Sequence, residues 1–263
     1  MSRRSALLAV LLSALAALGA EPSLAPDRAD LVKRLVGRFY EQENLAGSSG
    51  KILRDVVLVQ RIVTSEAESR KASIVVIFCK NPKVSLVFLT DETGRATAFL
   101  QRGTDTWIYR ESLRIPLKVS LSQSVFGDAN LGDILGLNLV EDFTCTSVAE
   151  EENSYIFQFK RISTTYPYSG VDVVADQESG DFSAIHYRSY AGGIIRQAAL
   201  SDYASLNGGH RVPTWTISSL HLNTARSTKI SYEDIKPLSI PEAFFQPNAN
   251  SLSQFLRWAG NYK

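Results

Sequence analysis

Ser73-Ile74-Val75-Val76-Ile77-Phe78-Cys79-Lys80, a break at Asn81-Pro82, then Val84-Ser85-Leu86-Val87-Phe88-Leu89-Thr90 is the stretch that decides the fold. Both runs are short, rich in β-branched and aromatic residues, and bounded by turn formers, which is the signature of strands. A parallel crossover would need a dozen or more residues, so the short break predicts an antiparallel pair.

The same pattern extends in both directions. Upstream lies Ile52 to Val63. Downstream come Ala96 to Gln101 and Thr106 to Glu111, with Glu92-Thr93-Gly94 as one of the turns. After an interruption it resumes at Phe143 to Val148, Ser154 to Ile162, Val171 to Asp176, Phe182 to Tyr190, Ile194 to Tyr203, Thr214 to Leu222 and Thr228 to Asp234. Gln177 to Asp181 and Asn207-Gly208-Gly209 are again short connections. No repeat of solenoid or propeller length is visible. The expectation is a mainly β (α+β) chain of eleven or twelve antiparallel strands in a single sheet.

Helices flank and interrupt this sheet. Leu31, Val32, Leu35, Val36, Phe39 and Tyr40 recur once per turn between Asp30 and Asn44, with Asp27 or Asp30 as the cap. Gly47 to Gly50 ends that helix. Within Ser112 to Asp142, a capping Asp128 leads into Ala129-Asn130-Leu131-Gly132-Asp133-Ile134-Leu135, an apolar turn fit to cover one end of the sheet. Ser251 to Gly260 reads as a short C-terminal helix. Helices at both chain ends and in the insertion are expected to plug the concave face and leave the convex one in water.

Met1 to Ala20 carries Arg3 and Arg4, an apolar centre and small residues before Glu21, the three parts of a cleavable export signal; the alternative is an uncleaved anchor. Residues 21–263 then form one domain. Without the leader, 26 basic residues face 27 acidic ones, a balance that excludes the dense basic footprint of nucleic-acid binding. The two cysteines, Cys79 and Cys145, either join, closing a 66-residue loop worth about 4 kcal/mol, or remain buried thiols.

Catalytic patterns are sparse. His186, His210 and His221 show no metal-ligand spacing, and no Gly-x-Ser-x-Gly elbow accompanies them. Glu150-Glu151-Glu152 and Asp91-Glu92 sit in polar turns, and Gly47-Ser48-Ser49-Gly50-Lys51 lacks the spacing of a phosphate loop. No enzyme, metal or cofactor is expected. The sequence offers same-parity pairs instead: Val76 and Phe78, Leu86 and Phe88, Trp107 and Tyr109, Phe157 and Phe159, Ile185 and Tyr187, Trp215 and Ile217. These are expected to share one face, either a filled core or a cavity for an acyl chain, where each buried CH₂ contributes about 0.8 kcal/mol. A carrier must release its load, and Phe126 to Leu139, with Phe126, Leu131, Ile134 and Leu135, is the candidate lid.

Trp107-Ile108-Tyr109 resembles the Trp-x-Tyr strand of the outer-membrane lipoprotein-sorting, LolA-like family. Val125 to Leu135 is similar to that family's Phe-Gly-Ser-Asp segment running into Asp-Leu, although Gly127 leads directly to Asp128 without the serine, and Gly132 replaces an acidic or aromatic residue. Tyr166-Pro167-Tyr168 and Ile240-Pro241-Glu242-Ala243-Phe244-Phe245 match it in order as well. The resemblance covers most of the chain after the leader. It implies a half-barrel with its concave face covered by helices and a periplasmic carrier of acylated lipoprotein or a related lipid. By the same resemblance it is loaded by an inner-membrane complex and unloaded to an outer-membrane acceptor, without a cofactor. Relatives with sensing roles keep open a protein-interaction module on the same fold.

Overall fold

The computed structural model describes residues 24–42, 55–66, 69–81, 84–90, 94–127, 129–162, 166–206, 211–220, 226–247 and 251–259. The expected leader, the Gly47–Gly50 loop, Asp91-Glu92, Asp128, His210 and His221 lie outside them.

Helix α1 (Pro26–Gln42) begins one turn earlier than its apolar stripe suggested. Pro26 takes the first helical position, where a missing N–H costs nothing, and Asp27 lies in the first turn rather than at the cap. The first six strands are β1 (Val56–Glu66), β2 (Ser69–Asn81), β3 (Val84–Thr90), β4 (Ala96–Arg102), β5 (Asp105–Arg110) and β6 (Leu117–Val119). An insertion follows, made of the two-stranded β7 (Ser124–Phe126) and β8 (Ala129–Asn130) and helix α2 (Leu131–Leu135). The chain continues through β9 (Phe143–Glu151), β10 (Ser154–Arg161), β11 (Gly170–Asp176), β12 (Phe182–Arg188), β13 (Ile194–Ser205), β14 (Arg211–Ser219) and β15 (Arg226–Pro237). A 3₁₀ turn (Glu242–Phe245) and helix α3 (Leu252–Ala259) end it.

Among the described residues thirteen strands form one open antiparallel sheet in the order β6-β5-β4-β3-β2-β1-β15-β14-β13-β12-β11-β10-β9. All twelve expected strands are present; the thirteenth, β6, is three residues long. Two meanders meet at the long β1–β15 pair, so the insertion joins the two outermost strands. Laid flat, twelve strand spacings would separate those edges by about 58 Å. The insertion nonetheless touches β1, β13 and β15 on its way, through Gln60, Arg196 and Thr228. The sheet is therefore curled into a half-barrel with the insertion across its hollow. Register shifts in β1–β15, β9–β10, β11–β12, β12–β13 and β13–β14 supply bends of the kind that curvature requires.

Two cores result. The larger fills the concave face, where α1 contributes Leu35, Val36 and Phe39 and the insertion contributes Leu121, Leu131 and Ile134. The smaller lies on the opposite side of β2–β5, beneath the 3₁₀ turn and α3. The C-terminal helix thus corrects the expectation that all helices plug the concave side. Its Phe255 ring meets Phe88 at 6.0 Å and Tyr109 at 5.1 Å on the convex face, and Phe244 meets Phe78 at 5.7 Å. Among the described residues no helix is long and apolar enough to cross a membrane.

Candidate functional site

The hollow of the half-barrel is the natural site, and antiparallel register decides which side chains face it. Phe157 lies opposite Val173, Val173 opposite Ile185, Ile185 opposite Ala198 and Ala198 opposite Ile217. Phe159, Tyr187 and Trp215 join them in the concave core. On the other arm the same rule runs the other way: Phe78 opposes Leu86, Leu86 opposes Leu100, and Leu100 opposes Trp107. Val76, Phe78, Leu86, Phe88 and Tyr109 belong to the convex core, with Trp107 packed against it. The twelve predicted residues therefore do not share one face. The concave lining of the first arm is Val75, Ile77, Val87, Leu89, Phe99 and Ile108. The physical reason is that β2–β4 are apolar on both pleat faces, so period two is invisible there, and the bulky aromatics sit on the side that α3 covers.

Of the predicted lid, Leu131 and Ile134 are buried in the concave core, and Phe126 and Leu135 pack against it half-buried. Asn130 caps α2 through its side chain, accepting from the Asp133 N–H, while Asp133 accepts from the Asn130 N–H at 2.7 Å. Asp133 also meets the Arg196 guanidinium at 2.6 Å, with its own side chain fully buried and that of Arg196 12% exposed. Tyr168 donates to Asp133 and accepts from Asn130 and Arg196. Burial pushes the Asp133 carboxyl up, against the pull of Arg196 and the Asn130 N–H. This cluster fastens the insertion to β13. Sequence reasoning missed it, although a charged residue at the apolar parity of Arg196, Ala198 and Leu200 was a usable signal.

A second fastening is steric. Gly127 has φ +52°, and a Cβ there would lie 2.5 Å from Thr64 and 2.7 Å from Thr228. Only glycine lets the β7–β8 turn press onto β1 and β15, where the Thr228 hydroxyl donates to the Phe126 carbonyl.

Between the insertion and the ends of β3–β5 lies a cavity of about 520 Å³. Leu89, Phe99, Val125 and Phe126 form its apolar wall, and Arg95, Arg110 and Glu111 stand among its polar lining residues. The volume is within the usual range for small-ligand sites, about 300–1,000 Å³. Deeper in the concave core, Tyr187 Oη and Trp215 Nε1 are buried without a hydrogen-bond partner.

Cys79 and Cys145 are free thiols, on strands eight positions apart in the sheet, so the bonded alternative is not realised. Burial raises Cys79 to about 12 and Cys145 to about 11. Tyr109, whose hydroxyl donates to the Pro247 carbonyl, is pushed up to about 12.

An open half-barrel crossed by a fastened insertion and backed by a second core is the LolA-like fold. Solved structures share that architecture. A LolA superfamily protein from Nitrosomonas europaea superposes with a TM-score of 0.67 at 19% identity, over 80% of this chain and 96% of that one. A DUF1329 family protein from Desulfovibrio piger gives 0.62 at 14%, over 86% and 99%. A domain named for outer membrane lipoprotein sorting, from Vibrio parahaemolyticus, gives 0.60 at 12%, over 81% and 96%. No curated protein matches the sequence. A family model described as an uncharacterized protein matches residues 80–249, and the chain belongs to that family.

Proposed function

We propose that residues 21–263, freed of the leader in the periplasm, act as a single non-enzymatic carrier of acyl chains from lipoproteins or a related lipid, received at the inner membrane and passed toward the outer membrane. The observation that carries this reading is the 520 Å³ cavity wedged between the concave wall and the insertion. An acyl chain entering there meets Leu89 and Phe99 first. Lifting of the insertion then extends the apolar path to Phe157, Ile185 and Ile217. The unpartnered Tyr187 and Trp215 donors suit ester carbonyls along that path. The fold shared with a domain named for lipoprotein sorting supports the same cargo class.

The test is retention of a fluorescent fatty-acyl probe by purified protein, with Thr97→Trp to fill the cavity that Thr97 lines. The expected result is binding by wild type and a loss of about tenfold or more in the variant with its melting temperature unchanged. No retention by wild type, or equal retention by both, would sink the reading. A second reading has its own observation: Phe157, Ile185, Tyr187 and Ile217 are at most 1% exposed, so the concave face is tightly filled. A filled hollow suits an envelope sensing or protein-interaction module, whose mark is a stable protein complex that survives delipidation.

A further inference from the structure

Antiparallel pairing brings one set of strand ends to a common rim. Glu66 pairs with Arg226, Arg196 with Ser219, Gly170 with Arg188, and Arg161 with Phe143, so the ends of β1, β10, β12 and β14 and the starts of β9, β11, β13 and β15 lie together. The cavity opens at this same rim, since Thr90, Ala96 and Arg110, which line it, are the matching ends of β3, β4 and β5.

Exposed large apolar side chains are distributed one-sidedly between the two rims. On the β9–β14 arc, Val140 precedes β9, Ile162 follows β10, Tyr190 follows β12 and Leu220 follows β14, with exposures of 55, 63, 70 and 50%. The other three exposed among the described residues, Ile74, Ile115 and Leu117, also fall in the half of the sheet nearer this rim. An isolated exposed apolar residue requires no explanation, but a row of them along one rim does. The opposite end of the β9–β12 arc is acidic: Glu150, Glu151 and Glu152 end β9 and its turn, and Glu178 joins β11 to β12, all exposed.

We propose that the Val140–Ile162–Tyr190–Leu220 arc docks on the surface of a bilayer containing anionic lipid. Five strand spacings from β9 to β14 make the arc about 24 Å long. Its charge fits such a surface. Lys160 is exposed and Arg161 is half-buried over the Tyr190 ring at 5.1 Å, while Arg188 is paired with the buried Asp172; Glu141 is the exposed acid beside them. A tyrosine backed by an arginine stem is the side-chain pair that settles at a membrane interface. Docked on this arc, the cavity mouth faces the lipid and the acidic end points away. The proposal goes beyond the carrier reading and does not require it.

The experiment is flotation of purified protein with vesicles of phosphatidylethanolamine and phosphatidylglycerol, and with vesicles of phosphatidylcholine alone. Wild type is expected to float with the anionic vesicles and to be released by salt. The triple variant Ile162→Ser, Tyr190→Ser, Leu220→Ser, and separately Lys160→Glu, should each weaken binding about tenfold or more. Glu152→Gln on the far rim should leave it unchanged. Melting temperatures establish that each variant is folded, and any that is not is replaced by Leu220→Ser alone. Wild type that floats with neither vesicle, or variants that float as well as wild type, overturns the proposal, and the rim then belongs to a protein partner. Acyl-probe retention measured on the same samples separates failure of docking from failure of the carrier.

Discussion

The two arms of the half-barrel are built to different plans. Along Val75–Phe78 of β2 and through β3 both pleat faces are buried: β3 runs Ser85 to Leu89 without an exposed residue, one face on the concave core and the other under Phe244 and Phe255. In β10–β13 the convex face is wet, with Gln158, Lys160, Ser183, Gln197 and Ser201 alternating with buried neighbours. One arm is a three-layer sandwich and the other a two-layer sheet whose single cover is α1 and the insertion. The difference teaches where motion belongs. The sandwiched arm gains burial on both sides and is the rigid wall, while the other arm depends on a cover held by a few polar contacts.

The sharpest way to break that contrast is Arg196→Met. It leaves Asp133 buried without its cation, which costs about 3–5 kcal/mol. Denaturant unfolding should report that loss, and hydrogen exchange should show it concentrated at residues 129–135 rather than in β2–β5. The double variant Asp133→Asn, Arg196→Met should recover much of it. Phe255→Ala tests the other arm. Removing the ring from its contacts with Phe88, Tyr109 and Phe244 should cost about 3 kcal/mol and loosen β3–β5 while the insertion keeps its protection. Equal loosening of both regions in either variant would erase the distinction between the arms.

The smallest effect concerns the thiols. A raised pKa means less thiolate at a given pH, so near pH 8 Cys79 should carry about a thousandfold less, and Cys145 about a hundredfold less, than an ordinary cysteine. Alkylation of native protein should therefore mark Cys145 before Cys79, and unfolding should abolish the order. Both groups titrate higher folded than unfolded. Their share of stability is full below the ordinary thiol value and declines as pH rises through about 9 to 12, measurable as a falling melting temperature in alkali.

The contrast between arms also explains what was legible beforehand. Phe157 and Phe159, Ile185 and Tyr187, Trp215 and Ile217 alternate with polar residues, and their common face was readable because the convex side is wet. Ile74 to Phe78 and Leu86 to Leu89 show no alternation. Parity there had to be guessed from size, and the large rings of Phe78 and Phe88 belong to the convex core. The position of β6 was not legible, because it depends on where the insertion lands, and the curl of the sheet was expected from the family resemblance rather than from the strand pattern. Arg95 and Arg110 at the cavity were invisible for a simpler reason: an arginine beside a turn looks like any solvated charge.

The sheet ends at β6 and β9 instead of closing on itself, so a row of backbone groups stands bare at each margin. Such margins invite a neighbouring molecule to add its own strand and continue the sheet. Here one margin is only three residues long, preceded by Pro116 and carrying Lys118, whose ammonium pairs with Asp105 at 2.8 Å. The other finishes in Glu150 and Glu151, with Glu150 held by Arg28 of α1. Brevity at one border and repulsion at the other thus disfavour growth of the sheet into fibres, so the barrel can stay unclosed without offering a template for aggregation.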